Sequence, residues 1–588
     1  MKNTDWDLSL FYQSVDDPQL QRDEAAFAAL PEQCKTILKA AESDGEKLKK
    51  LVELLEETAL LHEKIEGYLA LTLSVNAADE AALKEINHFS ALTVPVTMMR
   101  NEITRFVGGI ADLDAIRASD EKLTDYRFVL NEMKEQTRHL PPKEAESWML
   151  RLRLDGADAF SKLRDALTGT LTANVNGKEL PLPAVRGMAY DPNPAVRKAA
   201  YEAELRCYKK VDTAMAYCLG CIKGDAATFA EACGYPDVLT QQLEETRMDQ
   251  ETLNALIAAI QEFLPDFRRY LRKKAELLGH KNGLPFYDLF APLGESTAKY
   301  TIEEARDLLV DTFGKVHPGI AELMDTAFSN RWIDFLPKEG KEGGAFCAGF
   351  YHEKVSRVLT NFTGSFSDVS TLAHELGHAW HNRNLERVRV LNTNVPMPLA
   401  ETASIFNETL LAGEAMRTAS EEERFALLEG NLMENTQTVV DILSRFLFEK
   451  AVFETRKSHI PTVDEINRMM LDAQEAAYGD GLDPEFRHPY MWLCKSHYYS
   501  VGLHFYNFPY AFGMLFGLGI YQKYQQEGQA FLSRYDDLLS RCGSAGVADV
   551  AASVGIDVRS IEYWRGALKV IRGNINEFCR LADRRMIK

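Results

Sequence analysis

The segment TLAHELGHAWH, residues 371–381, holds three of the chain's 13 histidines together with one glutamate. His374 and His378 are four residues apart, so on an α-helix they lie on one face and can direct two imidazole nitrogens at a single point. Glu375 follows the first histidine directly, where its carboxylate would reach a water at a metal ion rather than the metal itself. The pattern predicts a helix that binds a metal and holds a general base beside it.

Two neutral imidazoles and one further oxygen or nitrogen ligand would leave one coordination position open, which is typical of a catalytic zinc site. The stretch PLAETASIFNETLLAGEAM, from Pro398, predicts a second helix that carries Glu401 and Glu408 seven residues apart on one face. Either glutamate could be the third ligand, with the other supporting the site, because spacing does not choose between them. His381 lies seven residues after His374, where a fourth ligand would close the site, so we assign it to support or packing.

A second group of polar aromatic residues lies in SHYYSVGLHFYNFPYAFG, residues 496–513. When a water at a metal ion attacks a carbonyl group, negative charge develops on the carbonyl oxygen, and histidine and tyrosine side chains can donate hydrogen bonds to it. The alternative is an aromatic core segment whose hydroxyls find internal partners. The candidate residues are His497, Tyr498, Tyr499, His504, Tyr506 and Tyr510.

Three motifs occur in order: NFTGSFSDVSTLAHELGHAWH, ETASIFNE and HFYNFPYAFG. Together they resemble the oligoendopeptidase F branch of the thimet oligopeptidase family of zinc metallopeptidases, over about residues 340–520. The resemblance implies one Zn²⁺ per chain, held by His374, His378 and Glu401. It also implies that Glu375 is the general base and that Glu408 supports the site.

For the aromatic segment, the resemblance makes His504, Tyr506 and Tyr510 the candidates to face the substrate, without deciding which tyrosine stabilises the oxyanion. We assign His504 and Tyr510 as catalytic. Tyr506, His497 and Tyr499, like His381 and Glu408, are then expected to support the site or contact the substrate.

Amphipathic helix dominates the rest of the chain, with apolar residues at three- and four-residue spacing over 48–75, 120–167, 193–230, 249–278, 303–326 and 421–457. Asn176-Gly177 in LTANVNGKELPLPAV predicts a hairpin turn. The stretch Trp332–Ser367 has glycine pairs and β-branched residues and predicts a small sheet just before the histidine helix. We predict a mainly α fold, with a helical N-terminal lobe over 1–190 that ends in the hairpin and a catalytic metallopeptidase domain over 191–588.

The strand predicted at SRVLTNFTGS has two possible roles. As an edge strand along the active-site cleft, it would let a peptide substrate add to it through backbone hydrogen bonds. Otherwise the sheet only supports the histidine helix.

Charge and apolar patterning exclude several functions. The formal net charge of −20 argues against nucleic-acid binding, which depends on clustered lysine and arginine. No apolar window reaches the about 18 residues of a membrane span, and the N-terminus lacks the features of a signal peptide. We therefore expect a cytoplasmic protein whose nine scattered cysteines are reduced.

The predicted function is a zinc-dependent endopeptidase that cleaves internal bonds of short oligopeptides. The restriction to short peptides comes from the resemblance, which implies a two-lobed, zincin-like protein with a deep substrate channel. One alternative is a zinc aminopeptidase, but the glycine-rich GGAFCAG before the zinc helix has no acid to anchor a substrate amine. The other is a catalytically idle peptide-binding protein, which would have no need of Glu375. Cobalt or manganese could occupy the same ligands.

Overall fold

The computed structural model describes residues 4–294 and 298–587. These residues are mainly helical, which confirms the predicted fold class. In chain order the α-helices are α1 (Pro18–Lys39), α2 (Asp44–Val75), α3 (Glu80–Gly109), α4 (Leu113–Ala118), α5 (Glu121–Asp125), α6 (Arg127–Gln136), α7 (Lys143–Asp155), α8 (Ala157–Gly169), α9 (Leu182–Gly187), α10 (Pro194–Tyr208), α11 (Asp212–Ala232), α12 (Val238–Glu245), α13 (Gln250–Leu277), α14 (Ile302–Gly314), α15 (Pro318–Ser329), α16 (Phe366–Leu385), α17 (Met397–Ala400), α18 (Thr402–Thr418), α19 (Glu421–Asn435), α20 (Ile442–Arg456), α21 (Val463–Tyr478), α22 (Met491–Cys494), α23 (Phe508–Glu527), α24 (Gln529–Arg541), α25 (Val547–Ala552) and α26 (Ile561–Ile587).

The helical pattern predicted over 120–167 is divided among four helices, α5 to α8. Pro141 and Pro142 stand between α6 and α7, because a proline has no N–H to continue the helical ladder and its ring clashes with the preceding turn. Gly156 separates α7 from α8. The apolar periodicity of the sequence extends across these interruptions. It therefore predicts the helical structure correctly but not where each helix ends.

Both predicted β regions are present. Strands β1 (Thr172–Val175) and β2 (Lys178–Pro181) form an antiparallel hairpin. Its turn residues, Asn176 and Gly177, have φ of 51° and 86°, the left-handed values that a two-residue hairpin turn requires.

The second sheet lies beside the histidine helix and has the strand order β3-β5-β4, from β3 (Ile333–Asp334), β4 (Phe346–Phe350) and β5 (Val355–Leu359). Strand β5 pairs in parallel with β3 and antiparallel with β4. The hypothesis of an edge strand at SRVLTNFTGS is therefore wrong, because β5 is the central strand and both its backbone edges are paired. Strands β4 and β5 pack against α16, as a supporting sheet would.

Two compact units divide the chain, and each is built from segments that are distant in sequence. The first unit comprises Met1–Leu140, Thr297–Glu414 and Ile520–Gly555, and the second comprises Pro141–Ser296, Ala415–Gly519 and Ile556–Lys588. The domain boundary near residue 190 stays a prediction. Among the described residues, no helix is both long and apolar enough to cross a bilayer.

The core of the first unit joins its N-terminal helices to its sheet. Apolar side chains of α1, α2 and α3 pack with Phe350 of β4 and Leu359 of β5 in one cluster. Farther along the chain, α24 supports the histidine helix: the indole Nε1 of Trp380 donates to Oδ1 of Asp536 at 3.2 Å. The other oxygen of Asp536 lies 3.0 Å from Nε2 of His317. Helix α16 is thus held by the sheet and by a carboxylate of α24.

Candidate metal centre

The N-terminus of helix α16, the helix that carries the two histidines, is capped by Ser365 and Asp368. Ser365 accepts from the backbone N–H of Asp368, whose carboxylate accepts in return from the backbone N–H of Ser365, so two N–H groups at the helix end are paired. Farther along the helix, His374 and His378 lie on one face with ring centroids 5.0 Å apart.

Glu401 brings a carboxylate to both imidazoles. Its Oε2 lies 3.2 Å from Nε2 of His374 and 3.3 Å from Nε2 of His378. Bonds of about 2.0–2.2 Å to a tetrahedral zinc place neighbouring ligand atoms about 3.3–3.6 Å apart, so these gaps match a set of ligands around one ion. The three residues offer ligand atoms that all lie within 4.8 Å of one another, and their side chains are about one quarter exposed. Their spacing and chemistry fit zinc, and the partial exposure leaves room for a further ligand.

The predicted single helix from Pro398 is interrupted at Glu401, which lies between α17 and α18. The carbonyl of Glu401 accepts from the N–H of Ile405 and begins α18. The hydroxyl of Thr402 bonds to the carbonyl of Leu399 at the end of α17. The hydroxyl of Thr402 thus gives the carbonyl of Leu399 a partner at the point where the helix is interrupted.

A glycine allows α16 and α18 to approach closely. A Cβ atom at Gly377 would lie 2.6 Å from the Cα of Ser404 and 2.7 Å from the carbonyl oxygen of Ala403, which is closer than real Cβ atoms come. Asn407 of α18 also donates to the carbonyl of Ala373 of α16 at 3.3 Å. The start of α18, and with it Glu401, is fixed against the histidine helix by backbone contact.

Glu408 contacts His374, and Ser404 contacts Glu401. Oε2 of Glu408 lies 3.1 Å from Nδ1 of His374, which orients that ring and directs its Nε2 towards Glu401. The hydroxyl of Ser404 donates to Oε2 of Glu401 at 2.8 Å. Sequence reasoning missed Ser404, although its place three residues after Glu401 is a spacing that makes such contacts common.

The charges of this cluster are strongly coupled. Burial opposes ionisation of Glu401, but hydrogen bonds with His374 and His378 outweigh it and hold the pKa of the carboxyl far below its usual range. Burial also opposes the charged form of His374, but hydrogen bonds with Glu401 and Glu408 raise its pKa to about 10. Both shifts follow from the short contacts that join the carboxylates of Glu401 and Glu408 to the imidazoles.

Glu375 is 6% exposed and lies on α16 between the two histidines. Burial raises the pKa of its carboxyl, whereas the nearby His374 and His378 oppose that rise. On β4, Cys347 faces the same carboxylate, and burial together with the charge of Glu375 raises the pKa of the thiol. Cys347 was not predicted as part of the site, because only the sheet brings it near α16.

His381 is 3% exposed. It does not belong to the group of three residues whose ligand atoms could hold one metal ion. Burial lowers the pKa of His381 to about 4, so the ring is neutral. The structure places it as a packed side chain one turn beyond His378.

The aromatic segment belongs to the second unit. Nδ1 of His504 lies 3.1 Å from Nζ of Lys223, which in turn lies 2.6 Å from Oε1 of Glu449, and all three side chains are buried. Burial and the charge of Lys223 hold the pKa of His504 well below its usual range, so its imidazole is neutral. Lys223 and Glu449 were not predicted, because they lie on α11 and α20, far from the motif in sequence.

Four further candidates of this segment have different surroundings. The hydroxyls of Tyr506 and Tyr510 are hydrogen bonded to each other. Nε2 of His497 lies 2.7 Å from the amide nitrogen of Asn507, and burial with the charge of Arg445 lowers the pKa of His497 to about 3. Tyr499 is 1% exposed, and its hydroxyl has no hydrogen-bond partner among the described residues.

Known proteins resemble this chain over most of its length. The model of peptidase family M3 matches residues 187–570. Oligoendopeptidase F of Lactococcus lactis subsp. cremoris is 28% identical over 400 residues, which are 67% of this chain and 65% of the relative, slightly less than two thirds of its length. An oligoendopeptidase F homolog of Borreliella burgdorferi is 23% identical over 92% of this chain and 90% of its own.

Solved structures share the fold. A crystal structure from Chlamydophila abortus covers 98% of both chains with a TM-score of 0.83 at 21% identity. The oligoendopeptidase-F of Enterococcus faecium covers 96% of this chain and 99% of its own, with a TM-score of 0.72 at 18% identity.

Proposed function

This chain belongs to peptidase family M3, and from that premise we propose that it is a zinc-dependent endopeptidase that hydrolyses internal bonds of short oligopeptides. The observation that carries the proposal is the convergence of His374, His378 and Glu401, with the carboxylate of Glu375 on the same helix as the two imidazoles. A binding protein would need neither this donor set nor the buried acid.

His374, His378 and Glu401 are the residues that would hold the metal. When bound, zinc would supply Lewis acidity, which polarises a peptide carbonyl and makes water acidic enough to act as a nucleophile near neutral pH. Glu408 holds the His374 ring through Nδ1, and Ser404 holds Oε2 of Glu401, so two of the three ligands are oriented before a metal arrives.

Glu375 moves the proton. One of its carboxylate oxygens takes a proton from the attacking water, holds it, and delivers it to the nitrogen of the leaving amine. Its burial and its position on a supported helix keep that oxygen away from bulk water and in one orientation. His381, packed one turn beyond, supports α16.

His504 and Tyr510 are the proposed donors to the carbonyl oxygen of the substrate, and Tyr506, His497 and Tyr499 the residues that support them or contact the peptide. This assignment is supported by the motif HFYNFPYAFG and by the family match, which includes this segment. The proposed partners are short peptides in the cytoplasm, with no nucleic acid or membrane, and the charge of −20 favours cationic over anionic ligands.

The test is cleavage of an internally quenched, end-blocked peptide of about ten residues, with products identified by mass spectrometry. The native chain is compared with Glu375→Gln, and zinc content is measured for both. The matched control is Glu57→Gln, an exposed glutamate of α2 in the same unit. We expect internal cleavage by the native chain and the control, and a loss of about 10²–10⁴-fold in Glu375→Gln with zinc retained, because only the proton acceptor is removed.

Two other outcomes would replace the proposal. Cleavage only of peptides with a free N-terminus would identify an aminopeptidase. No cleavage of a varied peptide pool by the zinc-loaded native chain would identify a peptide-binding protein.

A further inference from the structure

A second cluster of metal-ligand types lies in the second unit, outside the centre described above. It consists of Glu204 on α10, His488 in the loop before α22, and Cys494 at the end of α22. These residues offer one oxygen, one nitrogen and one sulfur, all within 4.8 Å of one another. Sγ of Cys494 lies 3.4 Å from Oε1 of Glu204, and Nε2 of His488 lies 3.7 Å from Oε2 of the same carboxylate.

His488 is the unusual member of the cluster. Its side chain is 1% exposed, and neither ring nitrogen has a hydrogen-bond partner among the described residues. The distance of 3.7 Å from Nε2 to Glu204 allows electrostatic attraction but is too long for a hydrogen bond. Leaving a buried polar group unpaired is unfavourable, so an imidazole of this kind calls for a partner.

The gaps suit an ion between the side chains. Zinc forms bonds of about 2.3 Å to sulfur and about 2.0–2.2 Å to nitrogen and oxygen, which places neighbouring ligand atoms about 3.3–3.7 Å apart. Thiolate, imidazole and carboxylate together favour a borderline-soft transition metal over magnesium or calcium. We propose that Glu204, His488 and Cys494 form a second metal site, for Zn²⁺ or a similar transition-metal ion.

Neighbouring groups already contact the carboxylate and the thiol: the hydroxyl of Tyr208 lies 3.1 Å from Sγ of Cys494. The hydroxyl of Tyr208 donates to Oε1 of Glu204 at 2.8 Å, and Nε of Arg186 lies 3.2 Å from the same oxygen. Both contacts use Oε1, as does the contact with Sγ of Cys494, whereas Oε2 lies towards His488 and is the carboxylate oxygen that an ion would take. A dication would be neutralised by the carboxylate and by the thiolate of Cys494, and Arg186, which is 38% exposed, would keep its contact with Oε1.

An ion can also reach the site. A cavity of about 190 Å³ is lined by Glu204 and His488, together with Tyr201, Met491 and Lys495. This cavity provides an entry path and space for a water as a fourth ligand, which three protein ligands require.

The site would link parts of the second unit that are distant in sequence. Glu204 and Cys494 are 290 residues apart, so a shared ion would join α10 to α22. Binding to the folded chain alone would raise its resistance to unfolding. A role in stability, separate from peptide hydrolysis, follows from this position.

The experiment uses the full chain with His374→Gln and His378→Gln, so that the first centre no longer binds metal. Co²⁺ is added to the metal-free protein, and absorption is recorded in the near ultraviolet, where a thiolate bound to cobalt gives a charge-transfer band that nitrogen and oxygen ligands do not give. We expect one cobalt per chain, the thiolate band, and a rise in the midpoint of thermal unfolding. Adding Cys494→Ser should abolish the band. Cys542→Ser, which changes another buried cysteine in the first unit, should leave it intact.

His488→Gln is a second variant that tests the site if Cys494→Ser does not fold. It keeps the thiol of Cys494 and removes the imidazole nitrogen of His488. We expect its cobalt affinity to fall about tenfold or more, with the circular dichroism of a folded chain. The proposal is overturned if the folded double variant binds no cobalt, or if its thiolate band persists after Cys494→Ser. Because the first centre is removed throughout, neither result depends on peptidase activity.

Discussion

At the scale of single residues, the candidate centre is defined by which atom of each side chain is engaged. Both nitrogens of His374 face carboxylates, Nε2 towards Glu401 and Nδ1 towards Glu408. Glu401 faces both histidines at once, whereas Glu408 lies against the far side of one ring. The two glutamates therefore contact the histidines in different ways, although both belong to the motif ETASIFNE.

Glu408 should tune metal affinity without binding the metal. We expect Glu408→Ala to weaken zinc binding about 10–100-fold, because His374 loses the partner that orients its ring. Glu408→Gln keeps an acceptor for Nδ1 and should lose less. Competition with a chromophoric chelator measures both affinities, and equal affinities for the native chain and Glu408→Ala would contradict the role.

The sequence predicted the two histidines and Glu375 because a four-residue spacing on a helix fixes which side chains share a face. It left Glu401 and Glu408 as alternatives, because on one continuous helix seven residues bring both to the same face. The break after Ala400 changes that geometry, and it depends on hydroxyl contacts of Thr402 and Ser404 that no periodicity describes. Glu204, His488 and Cys494 gave no signal, since only tertiary packing joins residues so far apart.

At the scale of elements, the centre depends on two helices and a sheet held at short range. The closest contact is that between Gly377 of α16 and the start of α18, where a side chain has no space. The carboxylate of Glu401 is positioned by that contact as much as by its own hydrogen bonds.

Gly377→Ala should therefore push α18 away from α16. We expect the free energy of unfolding of the metal-free chain to fall by about 1–3 kcal/mol and zinc affinity to fall with it, because the added Cβ meets backbone atoms that cannot rotate away. Gly430→Ala is the matched control: it lies within α19, has open space around its Cβ position, and should stabilise that helix by about 0.5–1 kcal/mol. Chemical denaturation of both variants measures the free energy of unfolding. An unchanged value for Gly377→Ala would show that the two helices can move apart without loss of stability.

Element type was predictable where periodicity is strong, as in α2 and α13. Strand order was not, because β5 carries the same local pattern whether it lies at an edge or in the middle of its sheet. Its central place follows from the parallel pairing with β3, a strand of two residues that is too short to recognise in sequence.

At the scale of the whole molecule, stability depends on buried acids as well as on the apolar core. Glu63 of α2 accepts from the backbone N–H of Tyr351, just after β4, at 2.8 Å. Burial raises the pKa of Glu63 to about 7, with a smaller contribution from the like charge of Glu353, while the backbone hydrogen bond opposes the rise. The folded chain thus holds a proton on Glu63 that the unfolded chain releases near pH 4.5.

This difference makes unfolding depend on pH with a definite sign. Because the folded-state pKa is raised, the stabilisation is fully present below about pH 4.5 and is lost as the pH rises through 7. Glu63→Gln is neutral at every pH, so we expect it to match the native chain at pH 4 and to exceed it by about 1–3 kcal/mol at pH 8. Urea unfolding of metal-free protein at both pH values measures this, and an equal effect of the substitution at the two would contradict it.

The contact between Trp380 and Asp536 has a consequence for synthesis on the ribosome. The two residues are 156 positions apart, so at about 5–20 residues per second the histidine helix waits about 8–30 s before α24 can hold it. During that time the nascent chain carries both histidines and Glu401 without their final support. We expect the chain to bind its metal only after α24 has been synthesised, because until then the histidine helix lacks the carboxylate that holds it.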